Sequence, residues 1–321
     1  MSSSTPVASA LELLQALSSP DPRADCSSYV HTSECSAQTR VVRQTDSLLA
    51  SRAYAWMDGK RSQAELSSLL DTATHLKTIP LLRYAVPTSS NPSSTSPYSS
   101  GSIYPSELGW TKGAFNQSLD ANYVQSAFSS DDSLCPHNVS GGLVGPPWHA
   151  VVALENFYIS KQTSADVDAL RSSFPPLFNL HSYLHTKRLP FALNILHPFE
   201  SDLPLSNPMW EAALEEAVGV MKDEGWTPSP PVPEEVKSLP EFPDNEDVYH
   251  ASLYLIECLA HYSYETKLAS ENCPFGMIDV GFASALAAGD VALKQIALIL
   301  KDKNVATASS SQEAALNEWV G

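Results

Sequence analysis

Apolar residues in this chain recur at helical spacing in one segment after another, and prolines mark the joints between segments. No stretch keeps a period-two alternation long enough for a substantial sheet. Leu11, Leu14 and Leu17 predict a first helix, ended by Pro20 and Pro22. Helices follow over Val41 to Met57 and Gln63 to His75. The Ser- and Pro-rich stretch near 88–102 reads as a loop or insertion, with a short helix over Asp120 to Ser129 after it. Pro146 and Pro147 suit the opening of a helix over Trp148 to Lys161, because proline's missing N–H has no partner in a first turn anyway. The run Thr163 to Asp166 has the form of a capping box before a helix over Val167 to Lys187. Further helices are expected from Pro208 to Asp223, Asp247 to Tyr264, Ile278 to Lys301 and Ser311 to Trp319. The fold class is therefore all-α, helix packed on helix. Residues 1–40 read as an N-terminal helix and linker, and 41–321 as the helical domain.

Composition excludes some partners. The formal net charge is −17 over 321 residues, so a phosphate backbone finds no basic surface and nucleic acid is not an expected partner. The longest apolar run, Ala283 to Leu300, is interrupted by Asp290, Lys294 and Gln295, so no membrane span is expected. Met1 to Pro20 has no basic residue and carries Glu12 inside its short apolar stretch, a poor secretory signal, so the expected location is intracellular, in the cytoplasm. Cys26, Cys35, Cys135, Cys258 and Cys273 are scattered without a CxxC pair, and unpaired, reduced thiols are expected. The sequons at Asn116 and Asn138 matter only outside the cytoplasm. His137, His181 and His185 form no metal-ligand constellation, so neither a metal nor a cofactor is expected.

Three loop-to-helix junctions carry more information than periodicity. They are Gly141 to Ala150 (GGLVGPPWHA), Asn194 to Asp202 (NILHPFESD) running on to Trp210, and Asn272 to Val280 (NCPFGMIDV). In this order they resemble the mannosylglycerate and glucosylglycerate hydrolases of the six-hairpin glycosidase superfamily. That family shows Gly-x-x-Gln-Pro-Pro-x-x-Ala, then His-Pro-Trp-Glu-Ser-Gly-x-Asp-Asn-Ser-Pro-x-Trp, then Pro-Phe-x-x-x-Asp-Val. Thr45, Asp46 and Ser47 match the family's Trp-Asp-Ser near the barrel mouth, and the resemblance runs from Val41 to Leu300. It implies an (α/α)6 barrel, here incomplete, with substrate at the end where the loops gather. It also implies glycoside hydrolysis with inversion, in which one carboxylic acid protonates the leaving oxygen and one carboxylate activates water. Inversion sets that pair roughly 6.5–9.5 Å apart, leaving room for the water.

The departures from the family pattern bear on the same chemistry. Counted from His197 the family's acid position falls on Pro204, and counted from Trp210 it falls on Leu205; neither donates a proton. Asp202 and Glu200 are the nearest carboxylates and the candidate catalytic residues. The alternative makes them a loop charge and a helix-opening hydrogen-bonding group. Thr45 replaces a Trp, Gly145 a Gln and Phe199 a Trp, while Ala251 replaces an Arg that the resemblance places on a glycerate carboxylate. The family's base belongs to its last hairpins, beyond the point matching Gly321.

Candidate sugar-binding residues are Asp46, which could hold two sugar hydroxyls, with His149, His197, Phe199 and Tyr249. Each has a structural alternative: Asp46 as a surface charge, His149 as a core residue, His197 as a brace for its loop. Asp279 reads as a helix cap. Two functions follow. One is an active hydrolase of a small glycoside such as glucosylglycerate or mannosylglycerate; the other is a non-catalytic sugar-binding or structural member of the family. Helices that lack neighbours in an incomplete ring expose apolar faces, so self-association is expected.

Overall fold

The computed structural model describes residues 18–19, 29–30, 41–75, 83–85, 145–188, 194–203, 205–228, 231–232, 234–238, 242–262, 266–305 and 308–321. The helices expected over Leu11–Leu17 and Asp120–Ser129, and the Ser/Pro-rich stretch near 88–102, lie outside these. The helices are α1 (Gln44–Ala55), α2 (Gly59–His75), α3 (His149–Ile159), α4 (Ser164–Tyr183), α5 (Met209–Asp223), α6 (Glu234–Lys237), α7 (Glu246–His261), α8 (Thr266–Asn272), α9 (Val280–Asp302) and α10 (Ser310–Val320). Three two-stranded antiparallel pairs accompany them: β1 (Ser18–Ser19) with β2 (Tyr29–Val30), β3 (Val41–Arg43) with β4 (Arg83–Ala85), and β5 (Asn194–Ile195) with β6 (Met277–Ile278).

Most expected helices are present with ends moved by a few residues. Val41 to Arg43, expected to begin a helix, are extended instead and pair with Arg83–Ala85. Two adjacent β-branched valines favour that conformation. Met277 and Ile278 likewise pair as a strand before α9 rather than starting it. The short helices α6 and α8 have too few residues to show a period and were not anticipated. The capping box at α4 is formed: Thr163 accepts from the Asp166 N–H while Asp166 accepts from the Thr163 N–H at 2.8 Å. Gly225, at φ +64°, ends α5 in the left-handed conformation that only glycine adopts freely.

Helix contacts arrange two rows. α1, α3 and α9 lie side by side, and α2 and α4 lie behind them; α1 packs on α2, α3 on α4, and α9 on both α4 and α10. α5 and α7 form a further pair joined to the same core. This is helix-on-helix wall packing, as the sequence leads one to expect. The buried stripe of α4 runs Val167, Leu170, Phe174, Leu177, His181, alternating three and four residues, and that of α9 runs Phe282, Leu286, Gly289, Leu293, Ile296, Leu300. Full burial of each large aliphatic side chain in such stripes contributes about 1.5–3 kcal/mol. α9 is long and apolar enough to cross a membrane, but half of that stretch is buried inside the fold and Asp290 within it is hydrogen-bonded, which marks a core helix.

Cys258, near the end of α7, is joined by a disulfide to Cys273, just after α8, with Cα atoms 5.9 Å apart. This corrects the expectation of unpaired thiols. The two positions are 15 residues apart, and that they become neighbours is a matter of how the chain turns between α7 and α8, which spacing alone does not show.

Candidate functional site

The junction segments meet through contacts between residues distant in sequence. β5, which leads into His197, pairs with β6 of the third junction, in register Asn194 to Ile278 and Ile195 to Met277. Thr45, at the start of α1, donates its hydroxyl hydrogen bond to Asp202 Oδ1 at 2.7 Å, tying the first turn of α1 to the end of the second junction. Asp46 follows Thr45 in that same first turn. Asp202 is exposed, and its carboxylate stands at the rim where these two segments touch.

Behind Asp202 the second junction is held rigidly. His197 caps a 3₁₀ turn, Pro198–Glu200, by accepting from the Phe199 N–H through Nδ1 at 3.0 Å. Its Nε2 lies 2.7 Å from the Ser252 carbonyl of α7. With Nδ1 accepting, Nε2 must carry the hydrogen and donate, so both contacts fix one tautomer. Phe199 is buried with its ring 4.7 Å from that of His197. Tyr249 is buried against Phe242, ring centroids 4.8 Å apart. Leu205, one of the two positions at which the sequence resemblance sets the acid, is buried in the core.

Glu200 has a different setting from Asp202. It is 2% exposed and receives a bidentate pair from Arg188, Nη1 to Oε1 at 3.0 Å and Nη2 to Oε2 at 2.7 Å. Oε2 also accepts from the Leu196 N–H at 2.9 Å. Arg188 ends a π-helical turn, Leu184–Arg188, that extends α4. Burial works against its charge, but the attraction and hydrogen bonds of Glu200 outweigh that and push the guanidinium pKa up. A carboxylate buried and bonded on both oxygens in this way braces its loop and does not face solvent.

His149 opens α3 and is buried, with neither ring nitrogen hydrogen-bonded. Burial, and then the neighbouring His181, push its pKa down to about 3, so the ring is neutral. His181 in turn places Nδ1 2.7 Å from Asp290 Oδ1, and His185 places Nε2 3.0 Å from Asp290 Oδ2. The His185 ring stacks on Trp319 of α10 at 4.6 Å. The readable signal for this cluster was two histidines four residues apart on one helix and a single Asp inside an apolar one. The partners of Glu200 and His197 carried no such signal, since Arg188 and Ser252 stand in no motif.

Asp279 is the N-cap of α9 and accepts from the Phe282 N–H at 2.9 Å. Among the described residues no group of three or more His, Cys, Asp or Glu side chains is placed to hold a metal. A cavity of about 50 Å³ lies at the far end of α1 from Thr45, lined by Ala55, Ser62, Gln63, Asn156, Ser160 and Asp166. It is separate from the rim at Asp202. The structure thus brings Asp202 and the first turn of α1 together at the surface. His149, His197, Phe199, Glu200 and Tyr249 lie in the interior behind or beside it.

Residues 42–320 match the mannosylglycerate hydrolase MGH1-like glycoside hydrolase domain. The chain is 27% identical over 216 residues to a mannosylglycerate hydrolase of Rubrobacter radiotolerans, covering 63% of this chain and 46% of that protein. It is similar in structure to the GH63 mannosylglycerate hydrolase of Thermus thermophilus in complex with glucose, with a TM-score of 0.66 and 17% identity over 98% of this chain and 63% of that one. The same enzyme in complex with Tris and D-glycerate gives a TM-score of 0.60 at 18% identity, again over 98% of this chain and 63% of that one. The chain therefore spans about half of the curated relative and under two thirds of the solved structures.

Proposed function

Because the chain belongs to the mannosylglycerate hydrolase-like glycoside hydrolase family, we propose that it takes a small glycoside at the rim where the first turn of α1 meets Asp202, and that Asp202 is its proton donor. The observation that carries this reading is the Thr45–Asp202 hydrogen bond. It fixes a solvent-facing carboxylate against the first turn of α1, and to Asp46 of that turn we assign the sugar hydroxyls or the activation of water. A donor that must protonate a glycosidic oxygen needs access to it, and Asp202 has access where Glu200 has none. Glucosylglycerate and mannosylglycerate are the substrates proposed, from the relatives and from the sequence resemblance. His197, Glu200, Phe199 and Tyr249 build the floor that holds the rim in place.

A non-catalytic, sugar-binding role is favoured by two observations: Leu205, where the resemblance sets the acid, is buried in the core, and Glu200 is committed to Arg188. The two readings part on one experiment. Hydrolysis of both glycosides is measured for the wild-type chain and for Asp202→Asn, with binding followed by calorimetry. Turnover that falls by 10²-fold or more in the variant, with binding retained, supports the proton-donor role. Binding without turnover in the wild type supports the second reading, and turnover unaffected by Asp202→Asn removes Asp202 from the chemistry.

A further inference from the structure

His149 sits where an imidazolium is least tolerable. It is the first residue of α3, and Trp148 before it offers no side-chain cap, so the unpaired N–H groups of the first turn already concentrate positive potential there. The ring is 1% exposed and neither nitrogen has a hydrogen-bond partner. The titratable group beside it is His181 of α4, which Asp290 of α9 holds together with His185 of the π-helical turn after α4. Lys294, one turn beyond Asp290, is half-buried; Glu155, further along α3, is paired with Arg52 of α1; α10 supplies the uncharged Trp319. Asp290 supplies one negative charge to balance this group of three imidazoles, and both its oxygens are already given to His181 and His185. Gly289 leaves the slot that seats His181: a Cβ there would lie 2.5 Å from His181 Cε1 and 3.0 Å from the Pro147 carbonyl. The cluster is therefore packed tightly against the turn that precedes His149.

We propose that this first turn of α3 is an acid-released latch: protonation of His149 unwinds residues 146–149 from the α4–α9 wall while the rest of the wall stays folded. The turn is the cheapest element to open. It has no cap, proline at 146 and 147 brings no N–H to lose, and swinging His149 outward gives its new charge to water. The cluster behind it keeps its own hydrogen bonds, since Asp290 still holds His181 and His185. The inference stands apart from the reading of Asp202.

Hydrogen exchange tests it. The Val152 amide bonds back to the Trp148 carbonyl at 3.0 Å and reports opening of the turn. A ring that titrates at an ordinary 6.5 when open and at about 3 when closed raises the opening constant by about 30-fold between pH 7.5 and 5.0. The expected result is that rise at Val152, after correction for intrinsic exchange, with amides around Leu177 of α4 unchanged and with less than about a threefold change in His149→Phe. An equal rise in His149→Phe, no rise in the wild type, or an equal rise at Leu177 overturns the proposal. Should His149→Phe fail to fold, side-chain titration of the wild-type histidines by NMR decides. A His149 ring that becomes charged near pH 6.5 while Val152 stays protected overturns it as well.

Discussion

Replacing Glu200 separates bracing from chemistry more sharply than any other change at the second junction. Glu200→Gln keeps the shape and removes the charge that Arg188 was buried against. The guanidinium is 6% exposed and the carboxylate 2%, so neither can turn to solvent without opening the loop. Removing one partner of a buried ion pair costs about 3–5 kcal/mol, because the other charge is left without compensation. The Leu196 N–H, 2.9 Å from Oε2, still finds the amide oxygen in the Gln variant but loses its partner in Glu200→Ala. That adds about 1–3 kcal/mol in the Ala variant, less where the loop relaxes. For a domain of this size each kcal/mol lowers Tm by roughly 2–4 °C, so Glu200→Gln should melt roughly 10 °C below the wild type. Circular dichroism during thermal and urea unfolding at pH 7 gives both numbers. The double variant Arg188→Met with Glu200→Leu should recover part of the loss, since the buried charge goes with its partner while the Leu196 N–H still loses its acceptor. A Glu200→Gln protein as stable as the wild type, yet without turnover on a glycoside that the wild type hydrolyses, would refute the reasoning and return Glu200 to the reaction.

Four other changes follow from the packing. Gly289→Ala should cost about 1–3 kcal/mol, as its Cβ would come within 2.5 Å of His181, and a neutral effect in urea titration would show that the slot yields. Thr163→Ala should cost about 1 kcal/mol by removing one half of the α4 capping box. Burial alone would raise the carboxyl pKa of Asp166, but hydrogen bonds from Thr163, Ser160 and Gln63 outweigh it and hold it below the usual range. Its contribution is thus present above the ordinary carboxylate pKa and fades as pH falls through the lowered one, so the wild-type-to-variant gap should narrow in strong acid. Reducing Cys258–Cys273, separated by 15 residues, should remove about 3 kcal/mol, and an unchanged urea midpoint in reductant would show that the link constrains nothing. Finally, Val280, Val291 and Leu298 of α9 are 75%, 50% and 45% exposed, and we propose that they drive self-association. Sedimentation should show a shift toward monomer in Val291→Lys with Leu298→Lys, and a wild type that is monomeric throughout would end that proposal.

The helices were legible because their apolar stripes are periodic, as on α4 from Val167 to Leu177 and on α9 from Phe282 to Leu300. The start of α4 was legible because a capping box is a local signal: Thr163 and Asp166 need nothing from the rest of the chain. The three strand pairs were not legible, since each is two or three residues long and draws its stability from a distant partner, as Asn194–Ile195 does from Met277–Ile278. The disulfide was hidden for the same reason. At the rim, sequence could name Asp202 and Thr45 but not their contact across 157 positions. Nor could it show that Glu200, two residues before Asp202, faces the interior. Glu200 closes the 3₁₀ turn that His197 caps, Asp202 lies just past its end, and the different directions of the two side chains are a matter of backbone angles rather than of residue type.

That division bears on what the second junction does for the fold. His197 ties the loop to the Ser252 carbonyl of α7, Glu200 ties it to the end of α4 through Arg188, and Ile195 ties it to β6 and hence to α9. Each bond joins a different helix to the same few residues. The motif is therefore the knot at which three parts of the wall are fastened, whatever reaction occurs in front of it. Losing a proton donor leaves such a knot intact, because an exposed carboxylate adds little to stability. Losing Glu200 removes the carboxylate against which the Arg188 charge is buried, at several times the energetic cost of changing an exposed group. The resemblance carried by this segment thus testifies first to the fold, and Asp202, at its solvent edge, is where the chemistry has to be tested.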